Sequence, residues 1–195
     1  MAIDQKLGEL SQTELMLDPS MPNGVATRKR VSAFDQLGFK ATIAELHEEI
    51  RELYLADDIP WIIGYSGGKD STATLQLVWD AIREVPVQSR SKPVHVISTD
   101  TLVENPIVSA WVSTSMSSMK SAAEAQHVPI IPTLLRPKLE DSFWVNLIGR
   151  GYPAPRPKFR WCTERLKIKP SNTFISEIVT KNGEAILCIG ARREE

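Results

Sequence analysis

Residues 61–82 read WIIGYSGGKDSTATLQLVWDAI. An apolar, β-branched run gives way to Ser66-Gly67-Gly68-Lys69-Asp70-Ser71, and a new apolar periodicity follows at Leu75, Val78 and Ile82. The first run predicts a buried strand and the second a helix, so the residues between them form one tight strand-to-helix turn. Gly67 and Gly68 let the backbone bend sharply and come close to a ligand. Successive amides at a helix N-terminus attract anions. Lys69 adds a mobile cation, and Ser66 and Ser71 add hydroxyl donors. The combination is a phosphate cradle. It is not a Walker A loop, which requires glycine where Ile63 stands and Ser or Thr where Asp70 stands.

Working outward, the runs at 60–65, 93–98, 129–135 and 184–189 have strand length and β-branched enrichment. Helical patterns lie at 36–56, 71–85, 105–126, 140–149 and 171–182. Alternating strand and helix predicts an α/β fold, a mostly parallel central sheet flanked by helices. Such sheets carry their functional loops at the carboxyl ends of the strands. Ser98, Thr99, Asp100 and Thr101 close the second strand and are therefore expected beside the phosphate turn. Residues 185–189 read as a central strand, and Gly190 begins the loop after it. Because the chain stops inside that loop, we expect an extension over residues 1–35 and a nucleotide-binding domain over 36–195 that continues in a longer protein.

Hydrophobic residues make up 42% of the 195, enough for one ordinary core. No apolar run reaches membrane-spanning length, and the first twenty residues lack the apolar centre of a signal peptide; the expected location is the cytoplasm, without membrane attachment. Cys162 and Cys188 form no C-x-x-C pair, and two cysteines cannot complete a four-thiolate site. His47, His95 and His127 show no ligand spacing. Charge is uneven. Residues 150–169 hold seven basic side chains (Arg150, Arg156, Lys158, Arg160, Arg165, Lys167, Lys169) against Glu164 alone, within a net charge of −1. Tyr152, Phe159 and Trp161 are interleaved. This basic, aromatic loop region predicts an anionic partner: phosphates neutralised by Arg156, Lys158 and Arg160, a base stacked on Trp161 or Phe159, and Arg165 and Lys167 facing either a polyanion or the nucleotide.

The turn S-G-G-K-D-S resembles the PP-loop of the ATP pyrophosphatases, and strand, loop and helix come in the same order. The resemblance implies an adenine nucleotide alpha hydrolase-like fold in which the loop grips pyrophosphate while the α-phosphate is attacked. "STDTL" is similar to the D-T-G segment of phosphoadenylylsulfate reductases but departs from it at Leu102, and Lys69 is a residue those reductases tend to lose. Four stretches, DDIPWIIGYSGGKDSTATLQLVWDAI, ISTDTLVENPIVSAWV, FWVNLIGRGYPAPRPKFRWCTERLKIKP and EAILCIGARREE, together resemble the DndC-type sulfurtransferases of bacterial DNA phosphorothioation from about residue 40 onward.

That resemblance implies ATP and Mg2+ as cofactors, a 4Fe-4S cluster in the longer protein, DNA as substrate, and a cysteine desulfurase and other phosphorothioation subunits as partners. It implies nucleotide contacts from residues 66–71, Ser98, Thr99, Asp100 and Gly190. Asp70 either holds Mg2+ between phosphates or caps the helix. Cys162 is a cluster ligand or persulfide carrier, or else a structural thiol. Cys188, inside an apolar strand, is expected to pack. A tRNA thiolase, a sulfonucleotide reductase and a nucleotide-regulated DNA-binding assembly module are the alternatives.

Overall fold

β1 (Trp61–Gly64), β2 (Val94–Thr99), β3 (Ile130–Leu135) and β4 (Ile186–Cys188) build one sheet in the order β3-β2-β1-β4, every pair parallel. The structure is a computed structural model, and it describes residues 34–191. The chain divides into two units, Met1–Thr42 and Ile43–Glu195. Most of the extension expected over residues 1–35 lies outside the described residues, as do residues 192–195. In the first unit, Phe34 and Phe39 meet edge to face at 5.1 Å.

The strands and their helices follow from local sequence. α2 (Lys69–Glu84) starts at Gly68, buries Leu75, Val78, Ala81 and Ile82, and closes at Val85 ahead of Pro86. α3 (Pro106–Gln126) carries Pro at its first position, while the Asn105 side chain accepts from the Ile107 amide at 2.9 Å. His127 ends it in a left-handed conformation. α1 (Phe39–Leu55) contributes Tyr54, and α4 (Trp161–Thr163) runs through a π turn (Glu164–Ile168) into α5 (Lys169–Asn182), which stops at Gly183.

One face of the sheet, carrying Trp61, Ile63, Val94 and Val96, packs on Tyr54, on Leu75, Val78 and Ile82 of α2, and on Met116 and Ala123 of α3. The opposite face presents His95 to Phe174 of α5, rings 5.5 Å apart. Helices on both faces explain why the strands are largely apolar without alternation. The amino edge of the sheet is sealed. Buried Lys92 pairs with Asp57 at 2.6 Å between the rings of Tyr54 and Trp61, and Tyr54 donates to the Lys92 carbonyl at 2.8 Å, burial pushing its pKa up to about 12. The carboxyl edge stays open.

Two elements differ from expectation. Residues 140–149 do not make a regular helix; they form a 3-10 turn (Leu139–Asp141) and a π turn (Val145–Gly149) folded around Asn146, which is fully buried. Its amide donates to the Ser142 carbonyl at 2.8 Å and to the Glu140 carbonyl at 3.3 Å, a local pull that apolar periodicity does not register. Residues 185–189 are not a central strand among the described residues. β4 is the sheet's edge there, three residues long, with Ile186 and Leu187 exposed and only Cys188 packed on the core. Burial pushes the Cys188 thiol up, in keeping with a packing role.

His95 gives the fold a pH dependence. Its Nδ1 is buried without a hydrogen-bond partner, and burial, helped by Lys181, lowers its pKa below 6.5. The folded chain therefore binds this proton less readily than the unfolded one. The contribution is complete above about pH 6.5 and declines as pH falls through the folded value. Urea midpoints of the native chain should drop between pH 7.5 and pH 5 by more than those of His95→Leu. Equal drops would show that His95 does not report on the interior.

Candidate functional site

The strand order reverses beside β1: β2 and β3 lie on one side of it and β4 on the other. At that switch point the carboxyl ends of β1, β2 and β4 surround a cleft of about 460 Å3, which is where open parallel sheets bind ligands. Ser66, Gly68, Asp70 and Ser71 of the phosphate turn line it. So do Ser98, Thr99 and Asp100 at the end of β2, Glu104, and Ile189 and Gly190 after β4. Residues from opposite ends of the domain thus share one wall.

The turn is held by its own hydroxyls. Ser71 Oγ donates to the Gly68 carbonyl at 3.0 Å, lies 3.1 Å from Ser66 Oγ and accepts from the Ser66 amide at 3.2 Å. Gly67 has φ of 74°, the left-handed region that favours glycine. A Cβ there would also stand 3.3 Å from Val112 Cγ2. Gly68 is the helix N-cap with no side-chain cap of its own, and an α-helix leaves its first amides without intrahelical acceptors. Gly68, Asp70 and Ser71 of that first turn line the cleft. Lys69 is exposed and is not among the lining residues. Its neighbours Gly68 and Asp70 are.

Asp100, mostly buried, makes two local contacts. Oδ1 accepts from the Leu102 amide at 3.0 Å and Oδ2 pairs with Arg136 Nε at 3.2 Å. The carboxylate therefore shapes the turn that follows β2. Leu102 itself has φ of 63°. The backbone here keeps the left-handed conformation that glycine takes freely, although the residue is leucine. Thr101, buried, donates to Glu104 at 3.2 Å, and Glu104 meets Lys167 across the cleft rim at 3.3 Å.

The basic segment separates into two kinds of residue. Arg156, Lys158 and Arg160 are exposed on a tight antiparallel turn, closed by Arg156 N–H to the Phe159 carbonyl (3.1 Å) and Phe159 N–H to the Arg156 carbonyl (2.7 Å). Phe159 is exposed beside them. Trp161 differs from expectation: it is buried, stacked on Phe143 at 5.3 Å, edge-on to Tyr152, and its Nε1 donates to the Pro153 carbonyl at 2.9 Å. It cannot stack on a base. Arg165 is half-buried and engaged within the protein, donating to Asp141 at 2.9 Å and to the Tyr152 hydroxyl at 2.7 Å. Lys167, by contrast, lines the cleft. Residues 161–168 are helical rather than loop, because Trp161 and Leu166 bury their apolar side chains.

Cys162 lies half-buried in α4 and Cys188 in β4, both as free thiols. Among the described residues no group of three or more His, Cys, Asp or Glu side chains is placed to hold a metal ion. These residues do not fit a 4Fe-4S cluster, which takes four thiolates or close substitutes. Asp70 does fit the lesser demand of Mg2+, which needs one or two carboxylates and completes its shell with phosphate oxygens and water. Asp141 and Asn146, the buried polar residues of this region, carry no signal in sequence beyond their side chains. No helix among the described residues is long and apolar enough to cross a membrane.

No family model matches the chain. The uncharacterized protein MJ0066 of Methanocaldococcus jannaschii is 27% identical over 147 residues, covering 75% of this chain and 25% of that protein. The chain thus spans a quarter of the length of the curated relative it matches. Among solved structures, the U34-tRNA thiolase NcsA from Methanococcus maripaludis with its 4Fe-4S cluster aligns at a TM-score of 0.45, with 14% identity, over 78% of this chain and 46% of that one. A likeness at that level leaves any assignment to the residues themselves.

Proposed function

We propose that this chain is the nucleotide-binding part of a PP-loop sulfurtransferase that splits ATP into AMP and pyrophosphate to activate a nucleic-acid backbone, with DNA as the acceptor. The observation that carries the reading is the position of the S-G-G-K-D-S turn: it stands at the switch point of a parallel sheet, its hydroxyls interlocked and its residues lining a cleft at the start of a helix. The ATP reading rests on that turn, and the choice of DNA rests on the resemblance of the four longer stretches to phosphorothioation sulfurtransferases.

The chemistry requires ATP because a phosphodiester oxygen is a poor leaving group. A non-bridging oxygen of the backbone attacks the α-phosphorus of ATP, and pyrophosphate departs with the bonding electron pair. Sulfur delivered as a nucleophile then attacks the backbone phosphorus, and AMP leaves carrying the original oxygen. The first-turn amides of α2 and Lys69 hold the pyrophosphate as its charge develops, where fixed donors are most effective. Asp70 would be the carboxylate that holds Mg2+, which would neutralise phosphate charge. Ser98, Thr99 and Gly190 bound the nucleoside side of the cleft. A cysteine desulfurase and other subunits of the phosphorothioation machinery would supply the sulfur. No step is routed through an iron–sulfur cluster, since the described residues do not build one.

The full-length protein should release pyrophosphate and AMP from ATP, faster with duplex DNA than without it. ADP and phosphate as products, or no turnover in any combination, would overturn the reading. Stimulation by tRNA and not by DNA would replace the DNA acceptor with an RNA one. The exposed basic turn supplies a second check. Neutralising Arg156, Lys158 and Arg160 together should weaken DNA binding and lower its salt slope by about 3, roughly one unit for each DNA phosphate left without its cation. An unchanged slope would mean that this turn does not touch phosphates.

A further inference from the structure

Asp141 is a buried carboxylate outside the cleft, and both of its oxygens are engaged. Oδ1 accepts from Arg165 Nη1 at 2.9 Å and Oδ2 from Lys169 Nζ at 2.5 Å, with the Asp141 side chain 3% exposed. Its own loop is cross-linked by hydrogen bonds. Asn146 ties the Glu140 and Ser142 carbonyls together, accepts from Arg150 at 3.3 Å, and receives the Tyr152 amide on its carbonyl at 3.0 Å. Arg165 also lies over the Tyr152 ring, 5.1 Å from its centroid.

Arg165 and Lys169 are four residues apart on a continuous helical run, so they share one side of it. Lys167 and Ser171 are likewise four apart, offset by two residues and hence on another side, and both line the cleft. The rod between them contains the π turn Glu164–Ile168, a departure from α geometry that changes which way successive side chains face. Two sets of alternating residues thus have two destinations: a buried carboxylate and an anion cleft.

We infer that Asp141 is a positioning residue for the nucleotide cleft, clamping Arg165 and Lys169 so that Lys167 and Ser171 are held at its rim. The inference rests on the proposed ATP reading for the identity of the ligand. Glu104 on the facing loop holds Lys167 at 3.3 Å. Phosphate oxygens compete with that carboxylate for the same ammonium, and the clamp fixes the stem from which it reaches. Loss of the clamp lets the segment shift and weakens the charge-assisted hydrogen bond that Lys167 gives the phosphates, a loss of about tenfold or more in affinity.

The test is a double-mutant cycle in the full chain, read as ATP affinity by titration calorimetry and as amide hydrogen exchange. Asp141→Asn should weaken ATP binding about tenfold or more. Lys167→Met should weaken it as well, and the double variant should fall short of the product of the two single losses, since Asp141 acts in part through Lys167. Wild-type affinity in Asp141→Asn, or losses that multiply in the double variant, would overturn the inference. Should Asp141→Asn fail to fold, Lys169→Met takes its place, because it leaves the buried carboxylate its Arg165 partner. If the native chain binds no ATP, the proposed function falls. Hydrogen exchange then decides the clamp alone: faster exchange across residues 164–171 in the variant upholds it, and unchanged exchange overturns it.

Discussion

Lys69→Ala is expected to reduce pyrophosphate release from ATP by about 10²–10³-fold, the scale on which removal of one donor to a developing anion is felt. Stability should move by no more than about 0.5 kcal/mol, as for other surface substitutions. The two expectations have separate causes. Lys69 is exposed at the first position of α2 and packs on nothing in the core, and alanine is a better helix former than lysine. In the proposed function its ammonium is the mobile charge that meets pyrophosphate. Pyrophosphate release and thermal unfolding measured on the same preparations decide the matter. Unchanged release would mean the turn does not hold pyrophosphate, and a large fall in melting temperature would mean Lys69 has a structural partner.

The parts of this molecule that sequence exposes are those where chemistry and periodicity coincide. Trp61, Ile62 and Ile63 are apolar without alternation because both faces of β1 are covered, and beyond the turn the pattern changes to the spacing of Leu75, Val78 and Ile82. That alone places the phosphate turn at a strand end. The switch point follows once the first and last strands are seen to be neighbours, which requires no side chain to be known. Burial of isolated aromatic and charged residues is another matter. Trp161 sits in a run of basic residues, and composition there suggests a surface. The structure buries it because Phe143 and Tyr152 pack against it, and both come from within or just beyond the 140–149 stretch, where irregular turns replace the helix that the pattern predicts. Arg165 and Arg160 look alike in sequence. One meets Asp141 and the other is exposed, since a helical run beginning at Trp161 turns successive residues to different sides.

Leu102 shows a middle case. Its departure from glycine after Asp100-Thr101 speaks in sequence against a glycine-like turn. The backbone nevertheless adopts φ of 63°, held by the Leu102 amide donating to Asp100 Oδ1 at 3.0 Å. A side-chain hydrogen bond thus maintains a conformation that costs a non-glycine residue about 1 kcal/mol or more. The turn after β2 is set by Asp100, and the residue at 102 tolerates it.

Gly190→Ala should damage both the fold and the cleft. A Cβ at this position would lie 2.5 Å from Thr74 Oγ1, 2.9 Å from the Asp70 carbonyl oxygen and 3.1 Å from the Asp70 carbonyl carbon. The threonine hydroxyl can rotate away. The Asp70 carbonyl belongs to the first turn of α2, and Thr74 Oγ1 already donates to it at 3.1 Å, so moving it disturbs the turn that lines the cleft. Insertion of a methyl group into a close-packed interface costs about 1–3 kcal/mol. The loop after β4 should be pushed off α2, weakening ATP binding about tenfold or more by displacement of the cleft wall. Two companions make the cause legible. Gly149→Ala, where a Cβ meets nothing within 4 Å, should change neither the urea midpoint nor ATP affinity. Thr74→Ala added to Gly190→Ala removes the side-chain clash and leaves the backbone one, so it should restore little of either quantity. Full recovery in that double variant would show that the loop can yield to the Asp70 carbonyl, and the close approach of Gly190 to α2 would then have no part in shaping the site.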